Sequence, residues 1–198
     1  MSKLLSGSIN KTDTLDVSGL RINTPEYLVL HSTRNYPRFE DVLNCHKGKK
    51  WAGMGYHLFL SDKGILTQGR PFGLEGAHAL GFNTNSIGFC IYSSDGLLNQ
   101  HKIFLSREVI KSLQKQFGNL KIIPHTLAQV IYNNRLLAKE GFNTFPEEIG
   151  VAYNHKFANL KKGVDNFVGK LNTQNYSGLK NSLKSLKNCP GEMFYNFI

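Results

Sequence analysis

The sequence predicts an α/β fold in which a single mixed β-sheet is flanked by helices. Three observations predict it. Short apolar runs rich in β-branched and aromatic residues recur through the first 125 residues, segments with helical periodicity lie between them, and a length of 198 residues suits one domain. Strands that alternate with helices are typical of sheets whose faces are covered by helices. Beyond residue 127 the pattern becomes helical and rich in lysine.

The first part of the chain carries four predicted strands and one helix. EYLVLHST predicts a buried strand over 26–33, and RFEDVLNCHKGKKW has the apolar spacing of a short helix over 38–51. GMGYHLFLSDKG predicts a strand running into a tight turn over 53–64, with ILTQGR as its hairpin partner. SIGFCIY predicts another buried strand over 86–92.

The later elements are mostly helical. Ser106 is the predicted N-cap of a helix that Gly118 ends. LKIIPHT then predicts a strand over 120–126. LAQVIYNNRLLAKEGF predicts a further helix, and the leucine-lysine stretch over 179–188 predicts another.

Composition limits the classes of protein to consider. The net charge of +10 favours a polyanionic partner, such as nucleic acid, a membrane surface or an anionic cell-wall polymer. The sequence has no recognition helix, zinc finger or RNA-binding signature, so nucleic acid is not expected. No apolar run approaches the roughly 20 residues that span a bilayer, and the first residues do not resemble a signal peptide. We therefore expect synthesis in the cytoplasm and no transmembrane segment.

The three cysteines indicate reduced thiols rather than a disulfide framework. Cys45 and Cys90 lie on predicted helix and strand faces, where small buried side chains are expected. His46 and His101 lie in polar stretches that contain lysine, and we expect both to be solvated.

Three residues with zinc-binding side chains stand at the ends of strands or in a turn. His31 follows YLVL, His125 follows KIIP, and Cys189 lies in NCPG. Two imidazoles and a thiolate suffice for a catalytic zinc site, which takes three protein ligands and leaves a fourth position for water. Residue chemistry alone leaves open that the histidines are polar caps of strands, and His155 is a rival for the second ligand.

The middle of the chain resembles a known family. The run from Gly53 to Tyr92 carries the pattern GYHFxI, DG, GR, GxHAxGxN and NSIGxC, which is similar to the central stretch of zinc-dependent N-acetylmuramoyl-L-alanine amidases. That family includes phage lysozyme-type amidases and peptidoglycan recognition proteins. VLHST resembles its first metal strand and CPG its third-ligand neighbourhood. The resemblance covers residues 26–125 and resumes at 187–191.

The resemblance implies a Zn²⁺ site and a role for each matching residue. It places the metal ligands at His31, His125 and Cys189, the catalytic groups at Tyr56 and Lys187, and the substrate-binding groups at His78 and Asn83. Lys184 is an alternative to Lys187, because both follow the same helical spacing. Adjacent strand residues point to opposite faces, so Tyr56 should face the metal cleft and His57 should be a hydrogen-bonded structural histidine on the other face.

The predicted domain organisation follows from the same match. Residues 1–25 form an N-terminal extension, and residues 26–198 form the amidase catalytic domain. This domain includes a lysine-rich helical insertion over 128–186, where family members have a short loop between the second and third ligands. The insertion is expected to be a lid, a docking surface for anionic wall polymer, or a site for a protein partner.

The implied function is hydrolysis of the amide between N-acetylmuramic acid and L-alanine in bacterial peptidoglycan. The strong positive charge favours a cell-wall lytic enzyme, an endolysin or an antibacterial effector, over an enzyme that recycles wall fragments. Such an enzyme would reach the cell wall after release or delivery from the cytoplasm. The alternative is a non-catalytic peptidoglycan-binding or protein-binding regulatory module on the same fold. The presence of all three ligands and Tyr56 favours the enzyme.

Overall fold

The structure is a computed structural model that describes residues 7–139, 161–162, 164–166 and 189–190. The chain divides into two compact units. The first comprises Met1–His125 and Cys189–Ile198, and the second comprises Thr126–Asn188.

The first unit contains a six-stranded sheet with the strand order β1-β4-β3-β5-β2-β6. Strands β3 and β4 are antiparallel, and the other neighbouring pairs are parallel. This confirms the predicted single mixed sheet. The strands are β1 (Ile9–Asn10), β2 (Tyr27–Thr33), β3 (Leu58–Leu60), β4 (Leu66–Gln68), β5 (Ser86–Tyr92) and β6 (Lys121–Pro124).

The two longest strands, β2 and β5, run side by side through the core. Both are continuous apolar runs, as expected for parallel strands that are covered on both faces. Leu28, Val29 and Leu30 of β2 are fully buried, as are Ile87 and Phe89 of β5. The register places His31 of β2 opposite Cys90 of β5. The polar end of β2 is therefore carried on a rigid, buried support.

The bounded α-helices are α1 (Phe39–Gly48), α2 (Gln100–Phe117) and α3 (His125–Lys139). Helix α1 buries Phe39, Val42 and Leu43 in a cluster with Met54 and Phe59. A short 3₁₀ helix, Thr12–Thr14, precedes them. No helix among the described residues is long and apolar enough to cross a membrane.

Helix α2 corrects one prediction. It begins at Gln100 rather than after Ser106, because the Asn99 side chain accepts a hydrogen bond from the Lys102 backbone N–H at 2.9 Å and caps the helix. Ser106 is buried inside the helix. The helix ends at Gly118, as the sequence predicts.

Two other elements differ from prediction. The strand predicted over 53–60 is assigned only over Leu58–Leu60. The backbone of His57, just before it, still donates to the Gly88 carbonyl and accepts from the Gly69 N–H, both at 3.0 Å. Strand β1 lies within the segment predicted as an N-terminal extension, where no strand was expected, and it pairs with β4 at the sheet edge. The boundaries of that extension and of the 128–186 insertion remain predictions.

The described part of the second unit is helical. It comprises the α3 residues from Thr126 onwards, together with helical residues at 161–162 and 164–166. Thr126, Ala128, Val130 and Leu137 are buried. The helix predicted over 179–188 lies outside the described residues.

Candidate metal centre

The sheet brings the three predicted metal ligands together. Strand β2 pairs with β6 in a parallel register that ends at Leu30 opposite Pro124, so the next residues, His31 and His125, lie side by side. Their ring centroids are 4.6 Å apart. The Cys189 sulfur accepts a hydrogen bond from the Ser32 backbone N–H at 3.5 Å. The nitrogen and sulfur ligand atoms of the three residues all lie within 4.8 Å of one another.

The donor set of this cluster fits a zinc ion. Two imidazoles and a thiol are the side chains that zinc prefers, and three ligands leave room for a fourth. Burial, followed by the proximity of His125, lowers the pKa of His31 well below its usual value. The imidazole is therefore neutral at pH 7 and retains a lone pair for a metal. Within the ranges that the structure describes, His31, His125 and Cys189 form a candidate metal-binding group.

Tyr56 lies against this cluster. Its ring centroid is 4.9 Å from that of His31. Burial, with added contributions from the Cys90 and Cys189 thiols, raises the pKa of Tyr56 well above its usual value. The phenol therefore keeps its proton at physiological pH and can donate a hydrogen bond. Its side chain also forms a hydrogen bond with Cys90, which is fully buried.

His57 has the opposite environment, as predicted for its position next to Tyr56. The Gly88 backbone N–H donates to its Nδ1 at 3.0 Å, and its Nε2 donates to the Leu74 carbonyl at 2.9 Å. Burial is the main cause that lowers the pKa of His57 to about 4. Both ring nitrogens are bonded to backbone, so this histidine joins two loops to the sheet.

The two predicted substrate-binding residues lie in the loop between β4 and β5. His78 is half-buried, and its Nδ1 is 3.0 Å from Nε2 of His31. Asn83 accepts hydrogen bonds through Oδ1 from the backbone N–H groups of His78 and Ala79, both at 2.9 Å. The structure therefore places His78 beside His31 of the candidate metal-binding group and gives Asn83 a role in holding the loop. Their substrate-binding roles remain predictions.

Three residues considered in the sequence lie outside the described residues. They are the predicted catalytic Lys187, its alternative Lys184, and the rival ligand His155. Their roles remain predictions.

One residue near the site was misjudged from the sequence. His46 was expected to be solvated, but it is buried, and its Nδ1 accepts the Gly55 backbone N–H at 2.9 Å. Its ring lies between those of Trp51 and Tyr56, at centroid distances of 4.7 and 5.3 Å. Burial is the main cause that lowers its pKa to about 4. The signal was its helical spacing from Val42, four residues earlier on the apolar face of α1.

The family of the chain follows from a sequence comparison. Residues 21–137, more than half of the chain, match the family described as N-acetylmuramoyl-L-alanine amidase. The chain belongs to this family. The assignment confirms the family that the sequence motifs predicted, and the matched region contains His31, Tyr56 and His125.

Phage endolysins are among the similar curated proteins. The endolysin of Enterobacteria phage T3 is 32% identical over 72 residues, which cover 34% of this chain and 48% of that protein. The endolysin of Escherichia phage T7 is 37% identical over 51 residues, which cover 26% of this chain and 34% of that protein. The matches thus span half or less of each relative.

Solved structures of the same fold include enzymes and recognition proteins. The N-acetylmuramoyl-L-alanine amidase LysC from Clostridium intestinale has a TM-score of 0.55 and 21% identity, covering 59% of this chain and 80% of that chain. Bumblebee PGRP-SA has a TM-score of 0.51 and 19% identity, covering 60% and 83%. Wild-type Drosophila PGRP-LB has a TM-score of 0.53 and 19% identity, covering 61% and 82%. These likenesses confirm the predicted amidase and recognition-protein fold.

Proposed function

We propose that this chain is a zinc-dependent, cell-wall lytic amidase that hydrolyses the bond between N-acetylmuramic acid and L-alanine in peptidoglycan. The observation that carries the proposal is the convergence of His31, His125 and Cys189 beside Tyr56, in a chain of the N-acetylmuramoyl-L-alanine amidase family. The proposal adds the metal, the bond and the biological role to that family assignment.

The three converging residues would hold the ion. Bound zinc would supply Lewis-acid chemistry and would lower the pKa of a bound water molecule to about 7. His31 is already neutral at pH 7, so it need not lose a proton to act as a ligand. Cys189 must lose its proton when it binds, so zinc affinity should rise with pH.

Tyr56 would act on the substrate carbonyl. Hydrolysis of an amide places negative charge on the carbonyl oxygen, and a fixed donor at that point lowers the barrier. The phenol of Tyr56 holds its proton and lies beside Cys90. Its hydroxyl would rotate from Cys90 to donate to the substrate oxygen. Lys187 would add a positive charge to the same oxyanion, as the resemblance implies.

The net charge supports action on intact wall. A chain with a net charge of +10 is attracted to an anionic polymer over distances comparable to the Debye length, about 10 Å at 0.1 M salt. Small soluble wall fragments gain less from such attraction. We therefore expect the rate on intact wall to fall as salt rises from 50 to about 300 mM, with a smaller fall on soluble muropeptides. Equal falls would favour a recycling enzyme.

Mass spectrometry of digested wall tests the proposal directly. Purified full-length protein should contain about one zinc per chain and release stem peptides that begin with a free L-alanine amino group. Treatment with a chelator should stop the release, and added zinc should restore it. Cleavage that continues after zinc removal would reject the metal dependence, and cleavage at another bond would reject the reaction. Binding to wall without cleavage would instead support the non-catalytic module.

Two variants serve as matched controls for this experiment. His101→Ala removes an exposed imidazole, and Cys45→Ala removes a half-buried thiol. Neither residue belongs to the candidate metal-binding group. Both variants should bind zinc and cleave wall as the unmodified protein does.

A further inference from the structure

We propose that His78 is a positioning residue that holds the His31 imidazole so that Nδ1 of His31, and not Nε2, binds the metal. The inference rests on the zinc site proposed above and goes beyond it by naming the binding atom and the residue that selects it. It also gives His78 a role that differs from the predicted contact with substrate.

The contact between the two rings is the starting point. Nε2 of His31 lies 3.0 Å from Nδ1 of His78, and the rings are nearly perpendicular, with an interplanar angle of 89°. Two ring nitrogens at this distance share one proton, so one donates and the other accepts. If Nε2 of His31 is occupied in this way, Nδ1 is the nitrogen left with a lone pair for a metal.

Ser86 and Phe82 fix the direction of this hydrogen bond. The Ser86 hydroxyl lies 2.6 Å from the Phe82 carbonyl oxygen, which can only accept, so the hydroxyl proton points there. The Ser86 oxygen then presents a lone pair to Nε2 of His78, 3.4 Å away. His78 therefore carries its proton on Nε2 and is an acceptor at Nδ1. It follows that His31 donates through Nε2.

The His78 ring packs closely against the backbone at Gly76 and Gly88. A Cβ atom added at Gly88 would lie 2.6 Å from Cγ of His78, and one added at Gly76 would lie 2.3 Å from its Cδ2. Only glycine leaves room for the ring at both positions. Asn83 holds the backbone of His78 from the other side through Oδ1, at 2.9 Å. The ring is thus placed by the surrounding backbone, and both of its nitrogens face groups within the protein.

This arrangement matches the usual chemistry of metal-binding histidines. The nitrogen that does not bind the metal normally donates to a partner that fixes the tautomer and the orientation of the ring. Here the partner is a second imidazole, from a loop 47 residues further along the chain. Removal of such a partner typically weakens metal binding by about 10- to 100-fold.

Long-range proton-nitrogen NMR spectroscopy of the histidine rings tests the assignment on the unmodified protein. Full-length, ¹⁵N-labelled protein loaded with zinc should show His31 with a proton on Nε2 and the metal on Nδ1. His78 should show a proton on Nε2 and none on Nδ1. Signals can be assigned through their loss in single histidine variants. Metal on Nε2 of His31, or a proton on Nδ1 of His78, would overturn the inference.

Zinc affinity provides a second measurement. His78→Ala should weaken zinc binding by about 10- to 100-fold in competition with a chelator, and His101→Ala should leave it unchanged. Circular dichroism of the metal-free variant checks that it folds. Unchanged affinity in folded His78→Ala would contradict the inference, and the NMR measurement stands even if this variant does not fold.

The two proposals fail in different ways. A protein that binds zinc through Nδ1 of His31 but releases no stem peptide would refute the proposed function alone. A protein that cleaves the wall with His31 bound through Nε2 would refute the role of His78 alone.

Discussion

Two pairs of imidazoles lie within the first unit and differ in what their nitrogens contact. His46 and His57 hydrogen-bond to backbone groups, whereas His31 and His78 contact each other beside His125. Burial is the main cause that lowers the pKa in all four. Burial and a lowered pKa are therefore common to both pairs. The pairs differ in the groups that their ring nitrogens contact.

The difference has a physical basis. A backbone N–H and a backbone carbonyl occupy the two nitrogens of His57, so neither lone pair nor proton remains for another partner. His31 shares a hydrogen bond with the His78 side chain and lies with Cys189 in the candidate metal-binding group. The backbone therefore holds His57 at both ring nitrogens, whereas His31 offers one ring nitrogen to the candidate metal-binding group.

The largest expected effect is the loss of activity when a metal ligand is removed. His31→Ala and Cys189→Ala should each lower the rate of stem-peptide release by at least about 1,000-fold, because the several kcal/mol of transition-state stabilisation that a metal supplies is lost. Zinc content should fall with activity. The matched variants His101→Ala and Cys45→Ala should retain both. Activity retained in either ligand variant would contradict the assignment of His31 or Cys189 as a metal ligand.

The next effect concerns Tyr56, which contacts both pairs. Tyr56→Phe keeps the ring but removes the hydroxyl donor, so kcat should fall by about 100- to 1,000-fold. Zinc content should not change, since Tyr56 is not among the three candidate ligands. Steady-state kinetics on soluble muropeptides, together with metal analysis, measures both quantities. A loss of zinc without a change in kcat per bound metal would show that Tyr56 supports the cluster and not the reaction.

Much of the fold was predictable because its elements have local patterns. The apolar runs of β2 and β5 identify buried strands, and the hairpin of β3 and β4 has a clear turn signal. Strand β1 could not be predicted, because two residues carry no periodicity and their pairing partner, β4, lies more than 50 residues away in the sequence. The predicted start of α2 at Ser106 is wrong because Asn99, which is also a favourable N-cap residue, caps the helix more than one turn earlier.

In the candidate site too, residues marked by local sequence patterns were predictable, and contacts between distant parts of the chain were not. His31 and His125 could be selected because each follows an apolar run, and parallel strands present their ends at the same edge of the sheet. The sequence motif and the alternation of strand faces together predicted that the Tyr56 side chain faces the cluster. The contact of His78 with His31 joins distant parts of the chain, so no local pattern reports it. The fit depends on Gly76 and Gly88, whose importance appears only in three dimensions.

The backbone-bonded pair should make stability depend on pH. The pKa of His46 and of His57 is lowered to about 4 in the folded protein, against about 6.5 in the unfolded chain. Between these values the unfolded chain binds more protons, so the free energy of unfolding rises with pH. It should be highest above about pH 6.5 and fall on acidification towards pH 4, by up to about 3 kcal/mol for each residue.

Urea unfolding of chelator-treated protein at pH 7.5 and 4.5 measures this dependence without a contribution from metal. His57→Gln should reduce the difference between the two pH values, because it removes one of the groups whose pKa is lowered in the folded protein. His101→Gln is the matched control, because it makes the same substitution at an exposed imidazole. An identical difference in His57→Gln would show that burial of this ring does not control its protonation.

The smallest effect tests how the backbone supports the side-chain-bonded pair. Asn83 Oδ1 accepts from the N–H groups of His78 and Ala79, so Asn83→Ala leaves two donors without this partner. The free energy of unfolding should fall by about 1 to 3 kcal/mol, and zinc affinity should weaken as His78 becomes less well placed. Asn83→Asp keeps an acceptor at the same point and should lose less of both. A loss of stability in Asn83→Ala with unchanged zinc affinity would show that the hydrogen bonds of Asn83 support the loop but do not affect metal binding. The position of His78 would then depend only on the space beside Gly76 and Gly88.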